Sequence, residues 1–187
     1  SSNTQGPSTR LIHSTVPETD VHALVTPIYE TTTFVFENAA AVQAYQDGTS
    51  SAFIYTRYEN PTVVAVGRTL AVLEGAERAL LFSSGMAATS TALMALLTAG
   101  DEVLCSAGIY GGTLHLLKFT FRKLGTDVIF GVPRDDPGAT RAAVRPNTKA
   151  FYGETIGNPM NNIFDIEGVA NVAHEVGVPL ILDNTVA

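Results

Sequence analysis

The sequence of 187 residues has little with which to cross-link itself, ligate a metal or grip a polyanion. It contains a single cysteine, so no disulfide can form within the chain. Cys105 sits in the apolar run Glu102-Val103-Leu104-Cys105, which suits a buried, reduced thiol; a catalytic thiol is the alternative. The four histidines, His13, His22, His115 and His174, form no ligand-spaced set, and His174 falls on the helical pattern VANVAHEVG, so no metal site is expected. Basic residues are scarce as well: 11 Lys and Arg face 18 Asp and Glu, for a net charge of -7 and a pI near 4.9. They are scattered rather than clustered, which argues against a nucleic-acid surface. Any phosphate is therefore bound locally. No stretch reaches the roughly 18 apolar residues of a membrane span, and the opening SSNTQGPSTR lacks the basic and apolar regions of a signal peptide. A soluble, cytoplasmic protein is expected.

What is present is an apolar, core-forming chain, 45% hydrophobic with mean hydropathy +0.18, which can bury one sizeable domain. The stretch Ala79 to Leu97 organises it. An apolar run, Ala79 to Phe82, reads as a buried strand and passes through Ser83-Ser84-Gly85-Met86 directly into a helical pattern. The first N–H groups of such a helix have no partners within it, and the partial positive charge of the helix end adds to them, so a phosphate or carboxylate is the natural occupant. An ordinary cap and turn at Ser83 and Ser84 is the alternative.

Residues 1 to about 26 are polar and interrupted by proline, and an extended arm is expected there. Thr31 to Phe36 reads as a short strand, and Asn38 opens a helix ending near Gly48. Asn60 as cap and Pro61 at the first helical position start another that stops at Gly75, leaving Tyr55, Arg57 and Tyr58 in the preceding loop. From Ala79 onward, apolar runs at 79–82, 102–105, 127–130, 149–152 and 179–182 alternate with helical patterns near 86–98, 112–124, 136–144 and 166–176. This repeated β-α-β pattern predicts an α/β doubly wound, mostly parallel sheet with helices on both faces. Ligands of such sheets sit outside the carboxyl ends of the strands. The residues following the runs are Ser84-Gly85-Met86, Tyr110-Gly111-Gly112-Thr113, Glu154-Thr155-Ile156-Gly157-Asn158-Pro159 and Asp183-Asn184-Thr185. An anion cup, an aromatic ring, an amide and a buried carboxylate are expected to converge, a set suited to a flat, phosphorylated, cationic heterocycle.

Taken together, Y-T-R-Y-E-N-P-T at 55–62, S-S-G-M-A-A at 83–88, Y-G-G-T at 110–113, E-T-I-G-N-P at 154–159 and D-N-T at 183–185 resemble the Cys/Met-metabolism family of pyridoxal-phosphate (PLP) enzymes, over most of the chain. That family includes cystathionine γ-synthase, cystathionine γ-lyase, methionine γ-lyase and O-acylhomoserine sulfhydrylases. The resemblance implies a large domain of the aspartate-aminotransferase-like type, with an arm and intersubunit segment over 1–60, a PLP-binding domain over 61–187 and a small C-terminal domain outside this chain. Asp183 resembles the carboxylate that pairs with the pyridine nitrogen and keeps it protonated. Tyr110 resembles the tyrosine that stacks on the ring and takes part in proton transfer. Ser84, Gly85 and Met86 are implied at the phosphate, Asn158 at the cofactor's 3-oxygen and Thr185 beside the cofactor, while Glu154 is equally a structural or a functional residue. Tyr55 and Arg57 resemble a pair reaching the phosphate from a neighbouring subunit of a homo-oligomer, a dimer with shared sites or a tetramer.

One departure stands out. The family's Schiff-base lysine lies further along than Asp183, and none of Lys118, Lys123 and Lys149 fits the role, so the chain is read as the N-terminal portion of a longer enzyme. The reaction implied is γ-replacement on an O-acyl-L-homoserine, with γ-elimination as the alternative; Gly112 stands where methionine γ-lyases typically carry cysteine. A non-catalytic module that binds a phosphorylated ligand is the reading from a different class.

Overall fold

A computed structural model describes residues 6–13, 23–132 and 136–187, so parts of the N-terminal arm and His22 lie outside the described residues. The chain divides into two units, Ser1–Leu81 and Phe82–Ala187, with the boundary after the helix that begins at Pro61 rather than before it.

In the first unit, α1 (Pro7–His13) is a short helix where an extended arm was expected. Pro7 has no N–H to lose at a helix start, so proline here opens a helix instead of preventing one. α1 packs on α3 (Pro61–Glu74), with Arg10 Nη1 donating to the Val72 carbonyl at 3.2 Å. α2 (Ala39–Gln46) starts at Asn38, whose side chain accepts from the Ala41 amide as its sequence position predicts. Thr31–Phe36 makes only a two-residue-wide pairing: Phe34 N–H donates to the Ile54 carbonyl, Thr56 N–H to the Thr32 carbonyl, and Thr33 bridges Tyr55. The α3 start works as expected and does a second job. Asn60, 4% exposed, accepts from the Thr62 amide and donates from Nδ2 to the Tyr29 carbonyl and Thr56 Oγ1, tying residues 27–31 to the 55–62 loop.

The second unit is a four-stranded parallel sheet in the order β2-β1-β3-β4, with β1 at Glu102–Ser106, β2 at Asp127–Val132, β3 at Thr148–Glu154 and β4 at Leu180–Asp183. α4 (Gly85–Leu96), α5 (Gly111–His115, continued by a π-helical stretch at Leu116–Phe121), α6 (Pro137–Ala143) and α7 (Ile166–Glu175) accompany it. Alternation along the strands sends Val103, Cys105, Ala150 and Tyr152 to a cluster with Leu93, Leu117 and Phe121, and sends Leu104 and Phe151 to one with Val169 and Val172. Both faces are thus covered, which defines a doubly wound sheet. Leu93 is fully buried, and truncating such a residue to alanine costs about 2–5 kcal/mol.

One expected strand is missing. The run Ala79 to Phe82 pairs with no strand among the described residues, and Leu80 is 79% exposed. A strand is a paired state, so an apolar sequence without a neighbouring edge to bond has no ladder to join. The chain passes α3 so closely here that a Cβ on Gly67 would lie 2.8 Å from the Ala79 carbonyl oxygen.

Candidate functional site

The strand order creates the site. β1 and β3 are neighbours, but the chain leaves β1 toward β2 on one side and leaves β3 toward β4 on the other, so their carboxyl ends part at a topological switch point. A crevice of about 330 Å³ opens there, lined by Ser84, Gly85, Met86, Thr89, Tyr110, Glu154, Ile156, Asn158, Asp183, Thr185 and Val186. Seven of the sequence-expected residues therefore meet: Ser84, Gly85, Met86, Tyr110, Asn158, Asp183 and Thr185. All belong to the second unit. Tyr55 and Arg57 belong to the first, where the Arg57 guanidinium lies 5.1 Å from the Tyr55 ring centre and 5.3 Å from that of Tyr58.

Ser84 to Met86 form a helix start. Ser84 is the extended N-cap of α4, its hydroxyl accepting from the Ala87 amide at 3.1 Å, and the first main-chain bond of the helix runs from Ala88 N–H to the Ser84 carbonyl. The amides of Gly85 and Met86 come before that bond and have no partner within the helix. Nothing lies within 4 Å of where a Cβ on Gly85 would project, so the space beside these donors is open.

Glu154 organises the opposite wall. It is 5% exposed, and its two oxygens are divided between two loops: Oε1 accepts from the Tyr110 amide at 2.6 Å and Oε2 from the Asn158 amide at 3.2 Å. The carboxylate is thus a clamp across the switch point. The loop that carries Asn158 is pinned again at Gly157, where a Cβ would sit 2.6 Å from the Gly108 carbonyl oxygen and 2.7 Å from the Asn162 side chain. Only glycine allows these two loops to approach so closely. Tyr110, 46% exposed, lays its ring over Gly112, where a Cβ would come within 2.5 Å of it.

Asp183, expected to be buried, is half-buried at the end of β4. Its Oδ1 accepts from the Thr185 amide at 3.0 Å and the Thr185 hydroxyl at 2.5 Å, while Oδ2 accepts from the Tyr152 phenol at 3.4 Å. Thr185 therefore orients the carboxylate as well as lining the crevice. The sequence reading missed Thr89 and Val186 at the crevice and Tyr152 beneath Asp183, and gave Ile156 no role. Thr89 was accessible from helical spacing, one turn beyond Gly85.

The three lysines lie elsewhere. Lys118 is on the π-helical stretch over the Phe130 ring at 5.8 Å, Lys123 follows on the same helix, and Lys149 is exposed at the start of β3. Cys105 is fully buried in mid-strand, and burial pushes its thiol well above the ordinary value, so it stays protonated and unreactive. Among the described residues, no group of His, Cys, Asp or Glu could hold a metal ion.

A helix start with free amides, a ring, and an oriented carboxylate around a crevice at the switch point place this unit in the class of α/β cofactor-binding domains. The chain belongs to the Cys/Met metabolism PLP-dependent enzyme family, whose model matches residues 8–187. It is similar to the O-acetyl-L-homoserine sulfhydrylase of Corynebacterium glutamicum, 47% identical over 161 residues that make up 86% of this chain and 37% of that protein. It is also similar to the L-methionine gamma-lyase of Porphyromonas gingivalis, 39% identical over 181 residues, 96% of this chain and 45% of that one. A crystal structure from Campylobacter jejuni, described as an O-acetylhomoserine (thiol)-lyase with N'-pyridoxyl-lysine-5'-monophosphate, superposes with a TM-score of 0.91 and 33% identity over 98% of this chain and 45% of its own. The chain spans less than half the length of these relatives.

Proposed function

We propose that the chain is the cofactor-binding portion of a PLP-dependent enzyme of sulfur amino-acid metabolism that acts at Cγ of a homoserine-derived amino acid, by γ-replacement on an O-acyl-L-homoserine. The observation that carries this is the convergence of the α4 start, Tyr110, Asn158 and Asp183 on one crevice. When bound, PLP supplies an electron sink that lets protons leave Cα and Cβ of an amino acid and a group leave Cγ. In this reading the Gly85 and Met86 amides and the Ser84 hydroxyl hold the phosphate at the positive end of α4. Asn158 holds the 3-oxygen. Asp183, fixed by Thr185, keeps a proton on the ring nitrogen, and a bare phosphate binder has no need of such an acceptor. Tyr110 stacks its ring on the cofactor, and its phenol oxygen gives or takes a proton at the substrate.

Replacement is favoured over elimination by Gly112. The Tyr110 ring occupies the space that any side chain at 112 would need, so a cysteine there would push the ring from its position. γ-Elimination, the activity in the name of the Porphyromonas gingivalis relative, is the second reading. Tyr55 and Arg57 serve the phosphate of a neighbouring subunit in a cytoplasmic homo-oligomer, a dimer or a tetramer of such dimers.

The test uses the complete protein, loaded with cofactor and given O-acetylhomoserine with and without sulfide. Homocysteine formed only with sulfide supports replacement; a 2-oxoacid and ammonia without it would move the assignment to elimination. Neither product from a cofactor-loaded protein would overturn the enzymatic reading. Asp183→Asn should retain the fold and lose about 10²- to 10³-fold in turnover, as when one preorganised electrostatic group is removed. Arg57→Ala and Asp183→Asn subunits, each weak alone, should regain activity on mixing if the sites are shared; confirmed mixed dimers without activity would end that part of the proposal.

A further inference from the structure

Tyr152 is the largest side chain in the core and is only 2% exposed, yet its phenol oxygen is not surrounded by hydrocarbon alone. It lies on β3, paired with Ile181 of β4, while Glu154 pairs with Asp183. Tyr152 is thus the diagonal neighbour of Asp183 on one face, a separation that a long aromatic side chain spans. Its hydroxyl reaches Asp183 Oδ2 at 3.4 Å, with the Thr113 and Thr89 hydroxyls nearby. Thr89 lines the crevice, so this polar pocket runs from the core to the crevice floor. Burial raises the phenol above its ordinary value, the Thr113 hydroxyl acts against this, and the charge of Asp183 adds to the rise. The group therefore remains a donor at working pH. A carboxylate with one oxygen held by Thr185 and the other free could still rotate. The phenol supplies the second point that fixes its plane.

We propose that Tyr152 is a positioning residue for the Asp183 carboxylate, donating to Oδ2 from beneath the crevice and setting both the plane and the charge with which that carboxylate meets a bound cofactor. The proposal rests on the assignment of Asp183 to the ring nitrogen. Its electrostatic sign is definite. The phenol turns the positive end of its dipole toward the carboxylate, so removing the hydroxyl leaves the crevice more negative and holds protons on the bound cofactor to higher pH.

The experiment compares complete wild-type, Tyr152→Phe and Asp183→Asn proteins, each loaded with PLP, by titrating the visible absorbance band against pH and by measuring kcat, KM and thermal stability. Tyr152→Phe keeps the ring and its packing. Its band should titrate at higher pH than wild type, and kcat should fall about threefold to tenfold, the range of one weak hydrogen bond, with KM held. An unchanged or downward-shifted midpoint overturns the proposal, as does a kcat loss that follows only a fall in thermal stability. If Tyr152→Phe unfolds, Tyr152→Trp, which restores bulk and an N–H donor, must recover the wild-type midpoint better than Tyr152→Leu, and equal midpoints in those two also overturn it. If Asp183→Asn leaves both band and turnover unchanged, the ring-nitrogen assignment itself fails. If Asp183→Asn alters them and Tyr152→Phe does not, only the role of Tyr152 is lost.

Discussion

Two buried glutamates lie at opposite ends of one sheet and are satisfied in opposite ways. Glu102 begins β1 and is fully buried; its Oε1 accepts from the Thr148 hydroxyl at 2.7 Å and its Oε2 from Arg145 Nη1 at 2.9 Å. Both donors are side chains, one of them a cation. Glu154 ends β3 and accepts instead from two backbone amides, those of Tyr110 and Asn158, with no cation paired to it among the described residues. A carboxylate bonded to side chains fixes no main chain by those bonds, and one of its partners, Arg145, is 61% exposed and can move. A carboxylate bonded to main chain fixes the course of the loops that supply the amides. The amino end of the sheet is built for stability and the carboxyl end for shape.

Of the two glutamates, the one at the carboxyl end should give the larger effect when its arrangement is broken. Glu154→Gln keeps the volume but offers one acceptor oxygen and an NH₂ group where two N–H donors already point. One amide must go unsatisfied, at about 1–3 kcal/mol. Tyr110 or Asn158 shifts as a result, and kcat/KM of the complete protein should fall roughly 10- to 100-fold, as for a misplaced reacting group. Steady-state kinetics with the cofactor absorbance recorded alongside is the check; unaltered kinetics would reduce the clamp to a packing detail.

That contrast also marks what could be read from sequence. Caps were legible because each is a local statement: Asn38 and Asn60 lie next to the helices that they start and accept from amides as expected, and Ser84 does so as the alternative reading of that stretch had it. Tyr110, Asn158, Asp183 and Thr185 were legible because a parallel sheet sends every post-strand loop to the same end, whereas Ser84 to Met86 reached the crevice as a helix start and not as the end of a strand. Ala79 to Phe82 was misread because its apolar pattern says that a segment can be a strand, not that an edge exists to receive it. Glu154 remained undecided because its partners are backbone N–H groups, one of them 44 residues away, and an amide donor leaves no trace in residue type. Tyr152 looked like core, and by burial it is; only the register between β3 and β4 puts its hydroxyl against Asp183.

A smaller effect is expected at the amino end. Glu102→Gln retains one acceptor and loses one charged hydrogen bond. Arg145 turns to solvent, so the cost should be about 1–2 kcal/mol, seen as a lower melting temperature of the complete protein. Cofactor binding and kinetics should match wild type. Altered kinetics at full stability would show that the two ends of the sheet are not independent.

The smallest effect joins the two ends through Cys105, which lies in β1 between them. Burial pushes its thiol up, and the charge of Glu154 pushes it further in the same direction. A group whose folded pKa is raised contributes stability that is complete below its unfolded value, 9.0 for this thiol, and is lost as pH rises toward the folded one. The folded protein should therefore lose stability above about pH 9, by roughly 1.4 kcal/mol for each pH unit per raised group, and the buried Tyr152 phenol should add to the loss above its own ordinary value of 10.0. Denaturant melts from pH 7 upward measure this, and a small thiol reagent at pH 8 measures exposure. The native thiol should stay unlabelled until the chain is unfolded. Removing the nearby charge lowers the folded pKa of the thiol in Glu154→Gln, so its alkaline decline should end at lower pH than in wild type, whereas Glu102→Gln, at the far end of the same strand, should decline as wild type does. Declines that end at the same pH in all three proteins would mean that burial alone sets the thiol, and labelling of native protein at the unfolded rate would remove Cys105 from the core.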